Sequence, residues 1–207
     1  MLRRIDRYLL PIVGLISIVF ISGCAGRNYL MVDFRMAAAS PELSGQTVRL
    51  QVEDRRQPGT VLAPGAAYQF PDFSGIYSLA LIMPDQARVL AGEHQLSGLF
   101  ETAFEKRLAE LGVGTTDADG PEVPLMTITL KQFTLDLKDH KWMADLSYDA
   151  ALTLKDHPSA RENVRGSAER VRVMGLTGAD TVISEIFSDV VNRLDIPKLF
   201  RNAELMP

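Results

Sequence analysis

The chain has 207 residues, 46% of them hydrophobic and 23% charged, with a formal net charge of −4 at pH 7. Lys and Arg are interspersed with acids throughout, which excludes the clustered basic surface that a nucleic-acid partner or adhesion to anionic lipid requires. The apolar fraction suffices for an ordinary hydrophobic core, and a single cysteine excludes an internal disulfide framework.

The first element is an export signal. Arg3, Arg4 and Arg7 outweigh Asp6 ahead of the apolar run Tyr8 to Ile21, and small residues lead into Cys24. A membrane-spanning helix needs about 20 apolar residues, whereas this run is shorter and is interrupted by Pro11. Ile21-Ser22-Gly23-Cys24 therefore reads as a lipobox. Residues 1–23 are expected to be removed and Cys24 to carry the acyl chains, palmitate among them, because several chains anchor stably where one is marginal. Acylation leaves no free thiol, and the covalent lipid is the only attached group expected. Residues 24–28 form a lipidated tether whose reach, at roughly 3.4 Å per extended residue, is ~14 Å. Residues 29–207 form a single α+β domain. By resemblance to sorted Gram-negative lipoproteins, Ala25 after the cysteine implies an outer-membrane address, with the domain facing the periplasm.

Tyr29 to Met36 alternates Leu30, Val32, Phe34 and Met36 with Tyr29, Met31, Asp33 and Arg35, the period-2 pattern of a half-buried strand. A polar link, Ala37 to Gly45, leads to a second strand with Val48, Leu50 and Val52 on one face. Residues 54–75 hold Pro58, Gly59, Pro64, Gly65, Pro71 and Gly75 and read as one long loop, of a length that is usually functional or disordered. Its aromatics Tyr68, Phe70 and Phe73 argue for order. Two roles compete for them: folding back over the sheet edge, the commoner fate, or meeting a partner together with Arg55 and Arg56. For the Asp54-Arg55-Arg56 run the same choice lies between a solvated strand end with local pairing and an anion or acidic partner.

A short strand at Tyr77 to Ile82 precedes a helix over 94–111, where Leu96, Leu99, Phe100, Ala103, Phe104, Leu108 and Leu111 make an apolar stripe. Gly112 fits its left-handed stop. A second amphipathic helix starts near Asp180 and presents Val182, Ile183, Ile186, Phe187, Val190, Val191 and Leu194, with Pro197 limiting its far end.

Between the helices lies a long hairpin. Trp142 to Leu154 keeps its apolar residues at even positions, whereas the preceding strand changes parity from Met126, Ile128 and Leu130 to Phe133, Leu135 and Leu137. A turn at 138–141 sets Leu137 opposite Trp142 and Phe133 opposite Leu146, and a β-bulge near Lys131 or Gln132 restores one apolar face, with Leu130 set opposite Ala150. A third strand, Asn163 to Met174, brings Arg170 and Arg172 near Asp149 and Asp145. The predicted fold is a two-layer α+β domain, a mainly antiparallel sheet with a long bulged hairpin and two amphipathic helices on its apolar face. Its far face, carrying Thr127, Thr129, Asp145, Ser147, Asp149 and Thr153, is too polar to wall a lipid cavity.

The lipobox, Leu43-Ser44-Gly45-Gln46-Thr47-Val48, Glu53-Asp54-Arg55-Arg56, Ala103-Phe104-Glu105-Lys106-Arg107-Leu108, the central hairpin and the Ala179 to Leu194 helix together resemble the YajG-type family of bacterial lipoproteins. The resemblance implies a lipid-anchored envelope domain and no particular activity, and the 57–75 loop is longer than that family's usual connection. The lipid-linked domain is also similar in outline to auxiliary lipoproteins of envelope ABC transporters.

Candidate chemistry is sparse. Asp136, Asp139, His140 and Asp145 offer metal-type donors, but a hairpin turn exposes such residues in any case and Lys138 and Lys141 oppose a cation. His94 and His157 read as solvated. No serine stands in a Gly-x-Ser-x-Gly elbow. The expectation is a non-enzymatic binding or envelope-support lipoprotein that meets the membrane through its anchor. The alternative is an accessory subunit of an envelope transport or assembly complex handling lipid or lipopolysaccharide.

Overall fold

A computed structural model describes residues 28–57, 59, 61–172 and 177–206. The export signal, Cys24 and the tether as far as residue 27 lie outside the described residues, as does the 173–174 end expected for the third hairpin strand. The elements are β1 (Tyr29–Arg35), β2 (Thr47–Asp54), α1 (Pro64–Ala67), β3 (Ile76–Ile82), β4 (Arg88–His94), α2 (Leu96–Glu110), β5 (Gly114–Thr115), β6 (Leu125–Lys138), β7 (Lys141–Thr153), β8 (Ala160–Val171), α3 (Thr177–Arg193) and α4 (Ile196–Asn202).

The α+β architecture is as predicted, but it is built on two sheets, β1-β3-β4 and β5-β2-β6-β7-β8, and both are mixed. Strands joined by tight turns, β6-β7, β7-β8 and β3-β4, pair antiparallel. Strands separated by long excursions, β1-β3 and β2-β6, pair parallel. Alternation of apolar residues assigns a strand its faces and is silent on its partner's direction, which connection length decides.

The β6-β7 hairpin pairs Leu137 with Trp142, Leu135 with Ala144 and Phe133 with Leu146, and its register shifts between Leu130 and Gln132, at the predicted bulge. Beyond the bulge the expected pairing is corrected by two residues: Leu130 faces Tyr148, Ile128 faces Ala150 and Met126 faces Leu152. The extra residue, Lys131, sits on β6, so the chain advances there relative to β7; a two-residue offset preserves the face and leaves the burial pattern intact. The β8 register is corrected as well. The ladder opens at Leu152 and Ala160, which places Asn163 opposite Asp149 and Ser167 opposite Asp145. Arg170 pairs instead with Glu185 of α3, and Arg172 donates to Gln69 Oε1 at 2.8 Å.

Helices α2 and α3 cover the apolar face of the five-stranded sheet. Phe100 of α2 is the aromatic hub, with Phe187 at 5.0 Å, Phe133 at 6.2 Å and Tyr148 at 6.3 Å between ring centroids. Buried Tyr148 donates from its hydroxyl to the Val190 carbonyl at 2.7 Å, so its phenol is satisfied while burial pushes its pKa up. At the far end of α2, Gly112 takes φ +81°. Its amide bonds to Ala109 O and the Val113 amide to Leu108 O, both at 3.0 Å, the paired closure that a left-handed residue permits. The last helical segment departs from expectation: α3 ends at Arg193, and Pro197 lies in the first turn of α4, whose start is capped by Asp195 accepting from the Lys198 amide at 2.8 Å.

The β1 edge is closed by α3. Met31 N donates to Asp180 Oδ1 at 3.0 Å, Asp33 N to Ser184 Oγ at 2.9 Å and Arg35 N to Ser188 Oγ at 3.0 Å, while Asn192 Nδ2 donates to Arg35 O at 2.8 Å. Four helical residues rise about 6 Å and two strand residues about 6.8 Å, so polar side chains at every fourth position match alternate amides of an edge strand. The opposite edge of this sheet is β4, where Leu90 is 66% exposed and Val89 is also exposed.

Candidate functional site

The start of β1, the β6-β7 turn, the start of α3 and the 61–75 segment meet at one end of the domain. Asn28, where the tether enters, accepts from the Ser74 amide and hydroxyl at 2.9 Å each. Tyr29 pairs with Ile76. Within α3, Gly178 lies so close to Trp142 that a Cβ there would stand 2.7 Å from the indole Cδ1, and Asp180 two residues on holds the Met31 amide. The hairpin tip and the tether are thereby brought to the same end.

The 61–75 segment has its own construction. After β2 departs at Asp54, Leu62 bridges to Leu135 in parallel, with Ala63 N donating to Leu135 O at 2.9 Å and Leu135 N to Val61 O at 2.7 Å. The chain thus returns to the β6 edge and satisfies amides that β2 leaves open. Gly65 then passes directly over β6, where a Cβ would come within 2.1 Å of Leu137 O.

The predicted partner-binding residues separate here. Phe70 is 2% exposed and packs on Trp142 at 6.0 Å, so its expected role in a partner surface is corrected to a core role. Phe73 is half-buried, edge-on to Tyr77 at 5.7 Å. Tyr68 alone of the three is open, at 84% exposure. An aromatic count cannot distinguish these outcomes: α1 rotates Ala66 inward and Tyr68 outward. Arg56 is pinned by Asp54 at 2.8 Å and reaches Phe133 O at 3.4 Å. Burial by itself would raise the Asp54 carboxyl, but hydrogen bonds from the Arg56 side chain and amide, together with its charge, hold it below the ordinary range. Arg55 stays largely open, in a 2.7 Å pair with Glu53.

Arg55 and Glu53 belong to a shallow polar groove across the outer face of the large sheet, with Thr127, Thr129, Lys131 and Asp149. A hydrogen bond from Asn163 at 2.7 Å leads the causes that lower the Asp149 carboxyl, and Lys131 adds to it at 3.3 Å. Asp136 Oδ1 accepts from the Leu137 amide at 2.8 Å. Among the described residues no three His, Cys, Asp or Glu side chains converge as a metal ion needs. His94 is half-buried at the end of β4, with Nε2 3.1 Å from Ala91 O, and is not the solvated helix-start residue that the sequence implied; His157 is exposed. No described helix is long and apolar enough to cross a membrane.

Three features had no sequence signal strong enough to find them: Val171, 60% exposed at the end of β8; the Gln69–Arg172 contact; and β4 itself, whose Arg88 to His94 run lacks alternation and contains Gly92.

No protein-family model matches the chain, and no curated protein matches it in sequence. In fold it is similar to protein XCC0632 from Xanthomonas campestris, described with the family model DUF330, at 12% identity and a TM-score of 0.54 over 84% of this chain and 95% of that one. The rare lipoprotein B from Shewanella oneidensis aligns at 12% identity and a TM-score of 0.38, over 51% of this chain and 87% of that one. The first likeness extends the α+β fold to a second protein and is a likeness of fold alone.

Proposed function

We propose that the protein is a non-enzymatic, lipid-anchored envelope lipoprotein, fixed to the outer membrane through Cys24 with its domain in the periplasm, where it binds or supports another envelope component. The observation that carries this reading is the spacing between Ile21-Ser22-Gly23-Cys24 and β1. An acylation signal stands only a few residues ahead of a strand that is already paired and buried at Leu30. Such a short tether suits a domain that works against its own membrane and leaves little reach for one that works at a distance. The YajG-type resemblance belongs to this reading.

The test is direct. Intact mass of the protein extracted from membranes is expected to show residues 1–23 removed and acyl chains on Cys24, and Cys24→Ala is expected to lose both the lipid mass and membrane retention. Recovery of an unmodified Cys24 thiol from the membrane fraction would overturn the anchor.

A second reading, an accessory subunit of a lipid or lipopolysaccharide transport or assembly complex, draws its support from β4. One edge of the small sheet is capped by α3, whereas the other presents exposed Val89 and Leu90 beside an edge-strand backbone suited to a protein contact. This reading expects deletion to weaken the outer-membrane barrier to detergent; unchanged sensitivity without induction of a substitute lipoprotein would count against it.

A further inference from the structure

We infer that the tether end of the domain, with Tyr68 at its rim, rests on the lipid surface itself. The inference rests on the anchored reading above and adds an orientation to it. Cys24 carries the acyl chains in that reading, and the four residues to Asn28 span at most ~14 Å whatever path they take. Each headgroup layer is itself some 5–8 Å thick, so the tether leaves Asn28 within about a side chain's length of the lipid surface. Whatever shares an end with Asn28 shares that distance.

Ser74 is bonded to Asn28, and the chain back to Tyr68 is clamped there by Phe73 on Tyr77, Phe70 on Trp142 and Gln69 on Arg172. Tyr68 and Val171 each stand one residue from the Gln69–Arg172 hydrogen bond, and both project large apolar surface. Tyr68 is the most exposed large hydrophobic side chain of the described residues. A tyrosine combines an apolar ring with a hydroxyl that stays wet, which suits the headgroup boundary better than bulk water or hydrocarbon.

Lys141 is held by Glu169 at 2.8 Å, its ammonium pKa raised first by that hydrogen bond and also by the charge of Asp139, while Lys138 lies opposite it in the hairpin and Arg172 donates to the neutral Gln69. The contact is carried by the exposed Tyr68 and Val171, so apolar burial at the headgroup boundary supplies it and zwitterionic lipid suffices.

The experiment reconstitutes the mature, acylated protein, residues 24–207, in phosphatidylcholine vesicles containing lipid brominated near the headgroup. Tyr68→Trp is compared with Glu122→Trp, which lies at the opposite end just ahead of β6, each read as the emission added over the buried native Trp142. Expected is that the tryptophan at 68 shifts to shorter wavelength and loses most of its added emission, while that at 122 is unaffected. Equal, unquenched emission from both positions in protein that still floats with the vesicles would overturn the orientation and leave the anchor standing. Protein that fails to float would instead remove the anchor. Both substitutions fall on exposed side chains, so neither disturbs packing.

Discussion

Asp33 and Ser184 lie 151 residues apart in the chain, and the Asp33 amide donates to the Ser184 hydroxyl at 2.9 Å. An edge strand's free amides are normally an invitation to another strand. Here a helix answers them with side chains, because Asp180, Ser184 and Ser188 recur at the one spacing that keeps a helical row abreast of alternate strand residues. Ser188 is the buried member and serves twice, accepting from Arg35 N and donating to Asp33 O at 3.2 Å.

Removing a hydroxyl from this row strands a strand amide. Ser188→Ala is expected to cost about 1–3 kcal/mol, the range for a buried donor left without its acceptor, and Ser184→Ala less, since its half-buried site admits water. Denaturant midpoints at constant slope measure both. Equal, negligible shifts would show that the row is geometric coincidence.

Gly166 on β8 tests how closely α3 approaches the sheet. A Cβ there would stand 2.4 Å from Ile186 Cδ1 and 2.8 Å from Val190 Cγ1. Gly166→Ala is therefore expected to destabilise by about 1–3 kcal/mol through overpacking. Adding Ile186→Val, which deletes the nearest methyl, should recover part of that loss, a coupling that independent sites would not show.

These contacts mark the limit of what the sequence discloses. Strict parity in Trp142 to Leu152 and the stripe from Leu96 to Leu108 are periodic signals, and the strand and helix they specify are present with those residues buried. The change of parity at Lys131 likewise locates the bulge. Strand direction, the two-residue correction beyond the bulge and the division into two sheets depend on loop closure, which leaves no period in the chain. At the tether end the ambiguity is finer. Tyr68 and Phe70 are alike in composition, and only the single turn of α1 and the return of Leu62 to β6 decide that one is open and the other buried.

The polar face offers a pH-dependent test. The Asp149 carboxyl is lowered, first by Asn163 and then by Lys131. A depressed acid contributes stability that is complete above its unfolded value, about 3.9, and lost as pH falls through the folded value. Asn163→Ala is expected to raise the Asp149 pKa toward the ordinary range in a carboxyl NMR titration. Its stability deficit should be present at neutral pH and vanish in acid below both values. A deficit that persists undiminished in acid would assign the loss to β-sheet packing instead.

Arg56 fastens the start of the 55–75 excursion. Its side chain is 10% exposed, grips Asp54 through two nitrogens at 2.9 and 2.8 Å, and touches Phe133 O, so it ties the departing chain to β6 just before Leu62 rejoins that strand. Arg56→Ala removes the tie and leaves both ends of the excursion in place. The expected result is local: faster proteolytic nicking between residues 55 and 61, with global unfolding changed by no more than about 1 kcal/mol, since the Asp54 partner remains free to hydrate. Tyr68 should keep its accessibility, because α1 is held separately, by Ala63 on Leu135 and by Phe70 on Trp142. If nicking instead spreads through Phe70 and Phe73, Arg56 anchors the whole excursion, and the tether end depends on a salt bridge at the far side of the loop.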